Sequence, residues 1–274
     1  MRGLGADLVD LVLPGVCAGC GAERVRLRFG ACAACVTVLE GLLPYPTSPS
    51  PPPPGMPPCV AVGAYAGALR GALLAYKEKG RHRLARPLGA LLAAAVADAA
   101  VRAGGGPGVP VWLVPVPSTA GAVRERGGDH MARLAGAAAR RLGRVGWRVA
   151  VGQPLRAMPR VDSALLDVRG RAIAAENSLR IRHTRILIPR RRPMIGGTLI
   201  VVDDSVTTGA TLAAVTSRLR EVDMQVNGAA VLAATRLRGV RRDRVGRGAA
   251  SRVPGSEVPL SGSPTRGDGQ ASAG

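Results

Sequence analysis

LIVVDDSVTTGATL, residues 199–212, runs four apolar residues into two adjacent carboxylates, Asp203 and Asp204, then a Thr/Gly-rich turn and the start of an amphipathic segment. An uninterrupted apolar run fits a strand covered on both faces, the kind found in a mostly parallel sheet between helices. In open parallel sheets ligands sit beyond the carboxyl ends of the strands, where a following helix offers unpaired N–H groups to an anion. The turn from Val206 through Thr207, Thr208, Gly209 and Ala210 to Thr211 suits a phosphate. Gly209 permits close backbone approach, the threonines bring hydroxyls, and a helix beginning near Ala210 adds its positive end. The carboxylates need another partner, because beside a phosphate they would repel it unless they met hydroxyls or a cation. A ribose 5-phosphate answers both needs: its phosphate for the turn, its 2- and 3-hydroxyls for Asp203 and Asp204.

Outward from this stretch, short apolar runs alternate with longer amphipathic ones. CVAVGAY, VWLVPVP, WRVAV, TLIVVDD and AAVLAAT read as strands, and segments near 68–78, 84–102, 129–143, 165–175 and 210–222 read as helices. Strands spaced by helical stretches of this length predict an α/β domain over residues 59–239. The proline-rich stretch 44–58, PYPTSPSPPPPGMPP, cannot be helix or central strand and reads as a semi-rigid spacer. After residue 240 periodicity is lost, and the Gly/Ser/Pro/Arg-rich 240–274 tail reads as disordered and basic.

Residues 1–43 carry four of the five cysteines in two pairs, C-A-G-C (Cys17, Cys20) and C-A-A-C (Cys32, Cys35), eleven residues apart. Two such knuckles present four thiolates to one ion, predicting a structural zinc with no open position for substrate. The competing readings are two disulfides, disfavoured in a reducing compartment, and a redox pair, which ordinarily comes singly within a βαβ unit. Cys59 stands alone and reads as a buried strand residue.

The chain has 274 residues and is 47% hydrophobic, enough for a real core. Its formal charge of +20 is almost all arginine, Lys77 and Lys79 being the two lysines. That balance favours phosphate-bearing partners, but a compositional bias toward Arg, Ala, Gly, Pro and Val explains it as well. Aromatics make up 2% and are scattered, which excludes a stacking platform for single strands and leaves any nucleic-acid contact electrostatic. No apolar run reaches the roughly 18–20 uncharged residues of a membrane span, Asp98 breaking the longest, and the protein is expected in the cytoplasm.

The 199–212 stretch resembles the signature by which type I phosphoribosyltransferases bind phosphoribosyl pyrophosphate. Further segments follow in order: the paired cysteine knuckles, YKEKG (76–80), VPVPS (114–118), RERG (124–127) and RGRAIAAEN (169–177). Together they resemble ComF family proteins, phosphoribosyltransferase-like proteins associated with DNA uptake, over roughly residues 8–237. The resemblance implies a type I phosphoribosyltransferase-like parallel sheet flanked by helices, with a small N-terminal zinc-knuckle module. It also implies a pyrophosphate loop centred on Ser118, with Arg124, Arg126 and Lys77 as further contacts, and Mg²⁺ accompanying the substrate. A nitrogen acceptor would be phosphoribosylated, and Arg160, Arg169 and Arg171 would belong to a loop that closes over the site. The other expectation is a non-catalytic accessory protein that binds single-stranded DNA or a DNA-uptake helicase. Where the family commonly reads R-G-F-N-Q, this chain has Arg126, Gly127, Gly128, Asp129 and His130, and His130 reads as a helix-surface or partly buried histidine.

Overall fold

A computed structural model describes residues 15–158, 178–182 and 197–235. These form an α/β sandwich around a six-stranded sheet, in the order β1-β2-β8-β7-β3-β4. The strands are β1 (Tyr45–Thr47), β2 (Cys59–Ala64), β3 (Val111–Pro115), β4 (Val149–Val151), β7 (Thr198–Val206) and β8 (Gly228–Ala234). All neighbours run parallel except β1, which pairs antiparallel with β2 at the edge. β5 (Leu155–Ala157) and β6 (Leu179–Ile181) form a separate antiparallel pair.

The helices are α1 (Ala33–Glu40), α2 (Gly67–Glu78), α3 (Ala85–Arg102), α4 (Ala120–Glu125), α5 (His130–Gly143) and α6 (Ala210–Arg220). Alternation along the strands divides the core in two. Val60, Val62, Leu113, Ile200, Val202 and Leu232 face α2, α3 and α5, while Ala61, Val114, Leu199, Val201 and Val231 face α6 and the β5–β6 pair. β7 and β8 are therefore covered on both sides, as their unbroken apolar runs predict. α3 is long and apolar enough, with the turn before it, to cross a membrane, but 56% of its most apolar window is buried inside the fold.

Part of the 44–58 stretch is built into the domain. Tyr45–Thr47 extends the sheet edge, where Pro46 costs no interior ladder bond, and Met56 packs against the α6-side core. The cysteine segment likewise packs on the domain, Ala18 and Leu39 joining the α2–α3–α5 core. At Gly71 on α2 an added Cβ would collide with the Gly19 carbonyl oxygen and stand 2.8 Å from that of Ala18, so the two backbones touch. The expected 165–175 helix, the arginines at 160, 169 and 171, and the 240–274 tail lie outside the described residues.

Candidate functional site

The pleat of β7 decides where the two acids go. Ile200 and Val202 face the α2–α3–α5 layer and Leu199 and Val201 the α6 layer, so Asp204 leaves the strand on the first face and Asp203 on the second. Asp203 Oδ1 accepts from the Asp204 N–H at 2.9 Å. On the same face burial, and then the charge of Asp203, push the Cys59 thiol up to about 12; Cys59 is the buried strand residue its sequence predicts.

Asp204 is only 9% exposed. A carboxylate so covered is costly unless paired, and Lys77 Nζ donates to its Oδ2 at 2.7 Å while Ser205 Oγ donates to its Oδ1 at 3.0 Å. Lys77 stands in the last turn of α2, beside the buried face made by Leu69, Ala72, Leu73 and Tyr76. That placement carries its stem over the strand tip and leaves its side chain about one-third exposed (34%).

The third member is His130, the first residue of α5. Asp129 caps this helix, its Oδ1 accepting from the N–H groups of Met131 and Ala132 at 3.0 and 3.1 Å. The cap turns the imidazole inward. The Nε2 of His130 lies 3.9 Å from Asp204 Oδ2, its Nδ1 lies 3.3 Å from Ser118 Oγ, and its carbonyl accepts from the Tyr76 hydroxyl at 2.9 Å. Burial is the chief cause of a pKa lowered to about 4; Asp204 and Asp129 act against it, Lys77 and Arg126 with it. The ring is neutral at pH 7.

The turn after β7 is open in part. Thr207 is exposed and its hydroxyl donates to Thr235 Oγ1 at 3.2 Å, while Thr208 Oγ1 accepts from the Ala210 N–H at 3.4 Å. No described residue accepts from the backbone N–H groups of Thr207, Thr208 or Gly209. Thr211 is half-buried and Val206 buried. Gly209 has φ +74, and a Cβ there would collide with Met56 Sδ and stand 3.2 Å from Pro53 Cγ. The space that only glycine leaves is thus filled by the chain's own proline-rich segment.

No protein-family model matches this sequence, and no curated protein is significantly similar to it.

Of the residues expected at a site, Lys77, Ser118 and Asp204 converge on His130, and the charge of Arg126 reaches the same ring. Arg124 is exposed on α4 and Asp203 faces the other layer. The centrality of His130 was not read from the sequence, although Asp-His at the start of an amphipathic segment is the cap signal that aims it. A cavity of 590 Å³ lies elsewhere, at the amino ends of β2 and β8; the charged group lining it, Arg102, is tied to Asp98 at 2.6 Å.

The second chemical cluster is the set of four thiols. The sulfurs of Cys17, Cys20, Cys32 and Cys35 lie within 4.8 Å of one another, with Cys20 and Cys32 at 3.8 Å. Four sulfurs about 2.3 Å from a tetrahedral zinc would stand about 3.8 Å apart. All are free thiols. Burial raises the Cys17 pKa, but N–H groups of Cys20, Cys32 and Gly19 outweigh it and bring the thiol to about 6. Burial, then the neighbouring thiols, hold Cys35 well above the usual range. A divalent cation relieves that conflict by making every sulfur a ligand, so the cluster fits a metal such as zinc.

Proposed function

We propose that this protein is phosphoribosyltransferase-like, of the ComF type, and binds phosphoribosyl pyrophosphate or a related ribose phosphate at the carboxyl end of β7. The observation that carries the reading is the pairing of Asp204 with a following turn whose Thr207, Thr208 and Gly209 N–H groups have no described acceptor. In this reading the turn, the hydroxyls of Thr207, Thr208 and Thr211, and the start of α6 hold the 5-phosphate. Asp204 accepts from a ribose hydroxyl, and Asp203 approaches the sugar from the strand's other side. Ser118 and Arg126 face the diphosphate, and Lys77 lies close enough to share its charge between Asp204 and that group. Mg²⁺ arriving on the diphosphate supplies charge neutralisation for the leaving group. The protein's cations then stabilise departing pyrophosphate as a nitrogen acceptor attacks the anomeric carbon. The cysteine cluster holds zinc in a structural role.

Calorimetric titration with magnesium phosphoribosyl pyrophosphate tests this. Wild-type protein is expected to bind, and Asp204→Asn to bind at least about tenfold more weakly, the loss of one charge-assisted hydrogen bond. Absence of binding by the wild type, or equal binding by the variant, refutes the reading.

A second reading rests on the exposed Arg24, Arg26 and Arg28 of the cysteine segment, with Arg28 and Arg86 lying 5.8 and 4.8 Å from the Phe29 ring centre. It makes the protein a non-catalytic accessory to DNA uptake that binds single-stranded DNA or a helicase partner. Affinity for single-stranded DNA should then fall linearly with log salt, and substitution of Arg24, Arg26 and Arg28 by Ala should abolish it.

A further inference from the structure

Among the described residues, His130 lies against both halves of the site. Its Nδ1 meets Ser118 on the turn after β3, its Nε2 faces Asp204 at the tip of β7, and its ring is 8% exposed. The proton positions follow from these partners. The negative charge of Asp204, 3.9 Å from Nε2, favours the Nε2–H tautomer, in which Nδ1 is the acceptor for the Ser118 O–H. Ser118 then has only lone pairs to offer to the site. An anion docking there needs the opposite arrangement, with the hydroxyl donating outward. Once Ser118 turns, Nδ1 faces an oxygen lone pair and requires a proton of its own. The imidazolium so formed donates to Ser118 Oγ through Nδ1 and faces the Asp204 carboxylate through Nε2.

We propose that His130 is the proton-handling residue of this site: an anionic ligand engaging Ser118 binds together with a proton, which His130 takes up between Ser118 and Asp204. The inference rests on the ribose-phosphate reading. It deepens that reading by making recognition of the ligand's diphosphate end proton-coupled. The charged groups around the ring fit the role. Asp204 from β7 and Asp129 from the α5 cap favour the cation, while Lys77 from α2 and Arg126 from the turn before α5 oppose it; Tyr76 packs 6.5 Å away and binds only the backbone carbonyl. In the free protein burial holds the imidazole pKa near 4. A ligand anion adds negative charge beside the two cations and so raises it. By linkage, affinity tightens as pH falls between the pKa of the complex and that of the free protein, by up to about tenfold per pH unit.

The test is calorimetry with magnesium phosphoribosyl pyrophosphate at pH 6.5 in buffers of different ionisation enthalpy. The dependence of apparent enthalpy on buffer gives the protons exchanged. Wild type is expected to take up more protons than His130→Gln, by up to one, since a glutamine amide can accept from and donate to its neighbours but cannot take up the proton. Binding with identical proton exchange in the two proteins overturns the inference and leaves the ribose-phosphate reading standing. No binding by wild type removes that reading and the inference with it. Imidazole ¹⁵N spectra of the wild type provide a second measurement that does not depend on how the variant folds. They should show neutral, Nε2-protonated His130 in the free protein at pH 6.5 and a shift toward imidazolium when ligand is added; an imidazolium already present without ligand also overturns it.

Discussion

Lys77 and Asp204 stand 127 positions apart in sequence, yet their charged atoms are 2.7 Å apart. Lys77→Met would leave a covered carboxylate without its cation, and a destabilisation of about 1–3 kcal/mol is expected in urea unfolding. Lys77→Met/Asp204→Asn should recover part of that loss, because neither partner is then an unpaired charge; a strictly additive double variant would show that the pair is not coupled. His130 gives a pH dependence of definite sign. Its folded pKa lies near 4, below the ordinary 6.5, so the unfolded chain binds the extra proton first. Stability therefore falls as pH drops from 6.5 toward 4. The unfolding midpoint of His130→Gln should vary less across that window. Lys77 was expected at the site from the YKEKG resemblance, but its pairing with Asp204 and the role of His130 were not legible in the sequence, because contacts between distant positions leave no periodic signal. The apolar run, the acids and the glycine of residues 199–212 did announce a strand, a turn and a helix, and the structure places them at Thr198–Val206 and Ala210–Arg220. The pleat was equally readable, and it implies that adjacent acids diverge, a consequence not drawn from the residues alone.

Among the elements, the turn at Gly209 joins two demands: a left-handed φ of +74 and room for Met56. Gly209→Ala is expected to cost about 1–3 kcal/mol through strain and overlap. Adding Met56→Ala should relieve the overlap and leave the backbone strain, so a thermal melt of the double variant should lie between Gly209→Ala and wild type. The part played by Pro53 and Met56 could not be anticipated, since proline-rich sequence indicates stiffness without saying what it leans on. The two C-x-x-C knuckles, by contrast, imply their own geometry, and the sulfurs do cluster. Elemental analysis should find one zinc per chain in wild type and little in Cys20→Ser/Cys32→Ser, with a lowered melting temperature. Full thermal stability without zinc would show the cluster to be dispensable.

Across the whole molecule, the helical and strand segments read from hydrophobic alternation recur in order within the described residues. The edge strand Tyr45–Thr47 and the β5–β6 pair, three residues per strand, lack the apolar run that marks the equally short β4 within WRVAV. The dense contact of Gly71 with the Gly19 carbonyl was hidden for a related reason: a glycine inside a helical pattern shows that something is close, not what. Lys77 lies six positions beyond Gly71, about 9 Å along a helix axis. The sulfur-bearing loop is pressed against the middle of a strut whose far end holds the cation over Asp204. A change that loosened that loop would leave the middle of the Lys77-bearing helix without its backbone neighbour.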